Sequence, residues 1–139
     1  MELTRRETLV IGAGAALAAV LPAGAFASTG EELIAAFTGG ADVAEGGITL
    51  TAPEIAENGN TVPIEVDAPG AAEVMILALG NPTPPVATIK FGPLAASRAA
   101  STRIRLAKTQ DVTAIAKMED GSFAEATSTV KVTIGGCGG

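Results

Sequence analysis

The chain has 139 residues, a formal net charge of −6 and an apolar fraction of 47%. It contains no histidine, tryptophan or tyrosine and a single cysteine, which excludes Cys-His and Ser-His-Asp catalysis and metal sites built on imidazole or on several thiolates. The acidic charge does not suit binding to a nucleic acid or to an anionic membrane surface.

The N-terminal residues have the order of an export signal. The paired Arg5 and Arg6 precede an apolar run from Val10 to Leu21, and Ala25-Phe26-Ala27 offers small residues for cleavage. The run is shorter than the ~20 residues that a membrane span needs. We therefore expect a cleaved twin-arginine signal over residues 1–27 and a periplasmic mature protein without membrane insertion.

Residues 28–134 make up the predicted domain, which begins with a helix. Thr29 and Glu32 match the two positions of a capping box, and Gly39-Gly40 follow a helix-compatible apolar run, so we predict a short helix at about residues 30–38. Seven short apolar, alternating or β-branched runs come after it, with turn residues between them. They cover residues 48–52, 61–68, 73–79, 86–91, 102–107, 112–118 and 123–134.

The number and spacing of these runs predict a mainly β fold, an immunoglobulin-like antiparallel β-sandwich with a short N-terminal helix. Asp120-Gly121 favours a two-residue hairpin turn with positive φ between the last two strands. Met75, Leu77 and Leu79 alternate with core positions, and Ile115 points away from the core-facing residues of its own run, so a second apolar face lies outside the core. Either the N-terminal helix or a second subunit covers that outer face.

The cysteine lies among the last five residues, which are Gly135, Gly136, Cys137, Gly138 and Gly139. Because glycine restricts the backbone little, we expect residues 135–139 to form a flexible arm, in which Cys137 lies at most ~10 Å from Ile134. Nothing close to Cys137 in sequence favours the thiolate, so activation is expected to come from a partner's active site. We interpret this segment as an arm that hands over a group bound to the thiol.

The export signal, the small β-rich domain and the terminal Gly-Gly-Cys-Gly-Gly resemble the SoxY family of the bacterial Sox thiosulfate-oxidising system. The segment Ala56-Glu57-Asn58-Gly59-Asn60-Thr61-Val62-Pro63-Ile64 also resembles that family. The resemblance implies a carrier without catalytic residues, resident cofactor or metal, which binds sulfur intermediates of thiosulfate oxidation, including a persulfide, covalently on Cys137.

The resemblance also implies partners. These are a smaller SoxZ-like β subunit in a heterodimer, a SoxXA-like haem enzyme that loads thiosulfate, a SoxB-like hydrolase that releases sulfate, and a sulfane dehydrogenase that oxidises the remaining outer sulfur. Cys137 is the attachment site, and Gly135, Gly136, Gly138 and Gly139 form the swinging arm.

Two other function classes stay open on the residues alone. A ubiquitin-like sulfur carrier would convert the terminal Gly138-Gly139 to a thiocarboxylate, but that chemistry is intracellular and leaves Cys137 without a role. A secreted structural or adhesion sandwich would be joined to a partner through an intermolecular disulfide at Cys137, and the fold alone does not exclude it.

Overall fold

The computed structural model describes residues 29–134, so the expected signal at residues 1–27 and the expected arm at residues 135–139 lie outside the described residues. Within the described range one helix, α1 (Gly30–Thr38), precedes nine strands. The strands are β1 (Val43–Glu45), β2 (Thr49–Thr51), β3 (Ile55–Ala56), β4 (Val62–Asp67), β5 (Ala71–Ala78), β6 (Pro85–Lys90), β7 (Ala99–Ile104), β8 (Gln110–Met118) and β9 (Phe123–Val132).

The strands form two sheets, which confirms the predicted β-sandwich. The larger sheet has the order β1-β9-β8-β5-β6, with β3 also paired to β9, and the smaller sheet has the order β2-β4-β7. The pairs of β9 with β1 and with β3 are parallel, whereas β9 pairs with β8 in antiparallel fashion. The sequence did not predict β1 and β3, because they are only three and two residues long and show no alternation.

The hydrophobic core lies between the two sheets. Alternation in β4 turns Val62, Ile64 and Val66 inward and leaves the residues between them exposed. Val74 and Ile76 of β5 pack into the same cluster from the larger sheet. The regular inward spacing in β4 and the continuous apolar run of β5 explain why both strands could be predicted from the sequence.

Helix α1 covers the outer face of the larger sheet. The buried residues of that face are Met75, Leu77 and Ile115, and the residues packed on them are Leu33, Ile34, Phe37 and Val43. The capping box is present, because the Glu32 amide donates to Thr29 Oγ1 and the Thr29 amide donates to Glu32 Oε2. The helix therefore covers Met75, Leu77 and Ile115 of the predicted outer face, whereas Leu79 stays 47% exposed.

The hairpin between β8 and β9 differs in one detail from the prediction. The Met118 amide donates to the Ser122 carbonyl at 2.8 Å, which leaves three residues in the loop instead of two. Gly121 has φ 87°, and Asp120 does not have positive φ. The hairpin is confirmed but its predicted loop length is wrong, since a three-residue loop places the positive φ on a glycine that follows the turn.

Candidate functional site at the base of the C-terminal arm

The attachment site itself was predicted for the arm, and Cys137 with Gly135, Gly136, Gly138 and Gly139 lies outside the described residues, as do Arg5 and Arg6 of the export signal. The structure does describe the place from which residues 135–139 continue, which is Ile134, two residues beyond the end of β9. The surroundings of residues 131–134 therefore define the base of the arm.

Where its pairing with β8 stops, the end of β9 is held along its other edge. The pairing of β9 with β8 stops at Val130, which lies opposite Gln110. Beyond that point the Lys131 amide donates to the Glu54 carbonyl at 2.9 Å, and the Thr133 amide donates to the Ala56 carbonyl at 3.1 Å. The chain segment 54–59, which includes β3, thus continues the sheet along the last residues of β9.

The last described residue is held in the same way. The Ile134 carbonyl accepts a hydrogen bond of 2.8 Å from the amide of Gly59, and the Gly59 carbonyl accepts one of 2.7 Å from the amide of Leu106. Gly59 is buried between these two contacts. The segment that resembled the SoxY family in sequence, from Ala56 to Ile64, thus begins directly beside the base of the arm.

Two threonine hydroxyls add to these backbone contacts. Thr133 Oγ1 donates to the Glu57 carbonyl at 3.2 Å. On the opposite edge of β9, the Val132 amide donates to Thr109 Oγ1 at 2.9 Å. Thr109 lies immediately before β8. Its hydroxyl accepts the hydrogen bond that a backbone carbonyl would accept if β8 extended further along β9.

A polar network fixes the loop that carries Thr109. Asn81 Nδ2 donates to the Arg105 carbonyl at 2.8 Å, and Asn81 Oδ1 accepts from the Ala107 amide and from Gln110 Nε2, both at 2.9 Å. Gln110 Oε1 accepts from the Gly80 amide at 2.8 Å. Since Gln110 is buried, these bonds satisfy polar atoms that burial would otherwise leave without partners.

The surface around the arm base carries exposed apolar side chains and charges of both signs, including Glu54 and Glu57 of the neighbouring segment. Ile134 is 68% exposed and Ile55, on the neighbouring β3, is 57% exposed. Arg105, Lys108 and Lys131 are exposed on the adjoining segments. Exposed apolar side chains beside a functional group are typical of a transient contact surface.

Sequence reasoning found the cysteine but missed the residues that hold the arm base. Thr109 and Thr133 look like ordinary exposed polar residues, and Gly59 was noted only as part of the segment that resembles the SoxY family. Among residues 29–134, no three side chains of the metal-ligating types form a cluster. No helix in that same part of the chain is long and apolar enough to cross a membrane.

Comparisons with known proteins agree with this organisation. The SoxY family model, described as sulfur oxidation protein SoxY, matches residues 34–137. The structure of the sulfur carrier protein SoxY from Chlorobium limicola f thiosulfatophilum is similar, with 36% identity and a TM-score of 0.65 over 75% of this chain and 96% of that chain.

A superoxide reductase (neelaredoxin) from Ignicoccus hospitalis is 21% identical with a TM-score of 0.51, over 63% of this chain and 80% of that chain. At such low identity this likeness shows the fold alone. No curated protein sequence gives a significant match. The chain belongs to the SoxY family of sulfur oxidation proteins, which confirms the resemblance and the prediction of a carrier rather than an enzyme.

Proposed function

We propose that this chain carries the sulfur intermediates of thiosulfate oxidation covalently on Cys137 and presents them to partner enzymes in the periplasm. The observation that carries this proposal is the SoxY family match, which extends to residue 137 and so includes the single cysteine. The similar protein from Chlorobium limicola is itself a sulfur carrier. With no other thiol in the chain, Cys137 is the attachment point.

The first step joins the Cys137 sulfur to the outer sulfur of thiosulfate. The thiol loses its proton, a disulfide bond forms, and two electrons pass to a haem-containing partner, which leaves a thiosulfonate on the cysteine. A hydrolase then adds water at the sulfonate sulfur, where the S–S bond breaks, and sulfate and one proton leave. A persulfide stays on Cys137. A sulfane dehydrogenase oxidises its outer sulfur to a sulfonate with oxygen from three water molecules, while six electrons pass to the electron acceptor of that enzyme and seven protons are released. A second hydrolysis then releases sulfate and one proton and restores the thiol.

In these steps the chain positions Cys137 and supplies no catalytic residue. It has no histidine and no second cysteine, so a general base or a resolving thiol must come from the partners. The end of β9 is hydrogen-bonded up to Ile134, and Cys137 is at most ~10 Å beyond it. The exposed Ile55 and Ile134 give each partner enzyme an apolar surface to contact beside the arm.

The proposal includes a heterodimer with a smaller SoxZ-like β subunit. Helix α1 already covers the second apolar face of the larger sheet. A partner subunit therefore contacts residues other than Met75, Leu77 and Ile115, which lie beneath the helix.

The proposal is tested by the intact mass of the mature protein purified from cells grown on thiosulfate, measured before and after a reductant. We expect thiosulfonate and persulfide adducts that the reductant removes, and fragmentation should assign them to Cys137. A Cys137→Ser variant is the control and should carry no adduct. An unmodified thiol, or only a lasting disulfide to another envelope protein, would instead indicate a structural module.

A further inference from the structure

We infer that residues 54–59 form a socket that fixes the point from which the arm leaves the domain, and that the hydroxyls of Thr109 and Thr133 lock β9 into it. The inference rests on the proposed function, because a fixed departure point matters only if Cys137 must reach the active site of a partner.

The need for a socket follows from the lengths of the strands. β8 begins at Gln110, opposite Val130, so residues 131–134 extend past the strand that pairs with the rest of β9. A strand end without neighbours opens at little cost in free energy. The hydrogen bonds of Lys131, Thr133 and Ile134 to the socket hold these residues on the edge away from β8, which is the edge that β1 pairs with at the start of β9.

The opposite edge is closed by a side chain. Successive residues of a strand direct their backbone groups to opposite edges, and Val132 accordingly faces away from the socket. Its amide donates to Thr109 Oγ1 at 2.9 Å. Thr133 Oγ1 adds a bond of 3.2 Å to the Glu57 carbonyl in the socket. Both edges of the tail of β9 are therefore occupied, and each edge depends in part on one threonine hydroxyl.

The consequence for the carrier is the length of its tether. When residues 131–134 are bound to the socket, the tether has three residues, 135–137, counted from Ile134. If residues 131–134 opened, the tether would have seven residues, counted from Val130. The effective concentration of a tethered group falls roughly as the −3/2 power of tether length, which for this change is about fourfold. Binding of residues 131–134 to the socket thus keeps the effective concentration of the Cys137 thiol high at the active site of a docked partner.

The experiment uses the full mature chain with its native cysteine and the double variant Thr109→Val/Thr133→Val. Valine keeps the β-branched shape and removes the hydroxyls. The matched control is Thr129→Val, on the same strand, which removes a hydroxyl that donates to Asp111 Oδ1 at 2.5 Å but does not contact the socket. Thermal unfolding of all three proteins checks that the domain stays folded, and the two single variants replace the double variant if it does not.

The first measurement is amide hydrogen exchange at Gly59 and Thr133. We expect exchange in the double variant to be faster by about twofold to tenfold for each lost hydrogen bond, and unchanged in Thr129→Val. Unchanged exchange at both amides in the double variant would overturn the socket.

The second measurement is the kcat/KM of the thiosulfate-loading haem enzyme with each protein as its substrate. We expect a decrease of up to about fourfold for the double variant, the value for a tail that is fully open, whereas the rate at which iodoacetamide alkylates Cys137 stays the same. Faster amide exchange with unchanged kcat/KM would overturn the positioning role. If the wild-type protein is not loaded at all, the proposed function fails, and the exchange measurement still decides whether the socket exists.

Discussion

The ring of Phe37 in α1 meets the ring of Phe123, the first residue of β9, edge to face, with 6.0 Å between the centroids and 69° between the planes. This geometry is a favoured arrangement of aromatic pairs. Phe37 also packs on the outer apolar cluster that includes Met75 and Leu77. The contact therefore attaches the helix to the strand whose other end continues into residues 135–139.

We expect Phe37→Ala to lower the free energy of unfolding by about 2 kcal/mol, less than for a fully buried phenylalanine because Phe37 is half-buried. Urea denaturation followed by circular dichroism measures the change. Glu31→Ala, at an exposed position of the same helix, is the control and should change stability by less than about 0.5 kcal/mol. Equal stability of wild type and Phe37→Ala would show that the helix does not depend on this contact.

The second prediction concerns the network that fixes the loop before β8. Asn81→Ala removes three hydrogen bonds, to the Arg105 carbonyl, the Ala107 amide and Gln110 Nε2. Because Gln110 is buried, its Nε2 keeps only the bond to the Lys108 carbonyl. We expect a loss of about 2–3 kcal/mol in the free energy of unfolding, measured by urea denaturation.

Asn60→Ala is the matched control for Asn81→Ala, because Asn60 is an exposed asparagine in another turn. It should leave the free energy of unfolding almost unchanged. A similar small effect of both substitutions would contradict a stabilising role for the Asn81 network.

Local signals explain which parts of this fold could be predicted. The capping box at Thr29 and the alternation of Val62, Ile64 and Val66 depend on residues close in sequence, and both gave elements within about two residues of those observed. β1 and β3 exist only because they pair with β9. Such short strands carry no periodic pattern, so their pairing with a distant strand could not be predicted.

The candidate site also has one part that the sequence predicts and one part that it does not. Composition and position singled out Cys137, since it is the sole cysteine of the chain. The base of the arm depends on contacts between residues far apart in sequence, such as the bond from Gly59 to Ile134. The Thr109 hydroxyl accepts a hydrogen bond from β9 in place of a strand carbonyl, and no sequence pattern marks a threonine with that role. Only the three-dimensional arrangement identifies it.

The third prediction is a pH dependence at the β8–β9 hairpin. The hydroxyl and the amide of Ser122 donate to Asp120 Oδ1 at 2.5 Å and 2.8 Å, and these bonds, the hydroxyl bond first, hold the pKa of Asp120 below its ordinary value. A carboxyl whose pKa is lower in the folded state stabilises that state above the unfolded pKa of about 3.9. That contribution is lost as the pH falls through the folded-state pKa.

Ser122→Ala removes the hydroxyl donor and keeps the amide, so the pKa of Asp120 should rise towards its ordinary value. An NMR titration of the side-chain carboxyl measures the midpoint. Ser97→Ala, in a different loop, is the control and should leave the midpoint where it is in the wild type. Identical midpoints for wild type and Ser122→Ala would show that the hydroxyl does not stabilise the carboxylate.

The fourth prediction concerns export. Replacing Arg5 and Arg6 with lysine should keep the protein in the cytoplasm, because the twin-arginine route reads the paired arginines. That route exports folded cargo, so a SoxZ-like partner without its own signal should be retained with it. Cell fractionation and immunoblotting of both proteins measure this. Arg105→Lys, within the domain, is the control, and export of the partner from the double-lysine strain would disprove joint transport.

The fifth prediction is that the free arm is an ordinary thiol. No cation lies next to Cys137 in sequence, since Lys131 is the closest preceding one and the glycines on both sides have no side chains. At neutral pH such a thiol is mostly protonated, because the pKa of a free cysteine is about 8.5. Iodoacetamide should therefore alkylate the isolated protein at the rate of a glycine-flanked cysteine peptide, and Cys137→Ser should show no reaction. Labelling tenfold faster than the peptide would mean that the domain itself activates the thiol. In that case the partners would only have to bind the arm. The proposal that this chain positions Cys137 while the partner enzymes activate its thiol would then be wrong.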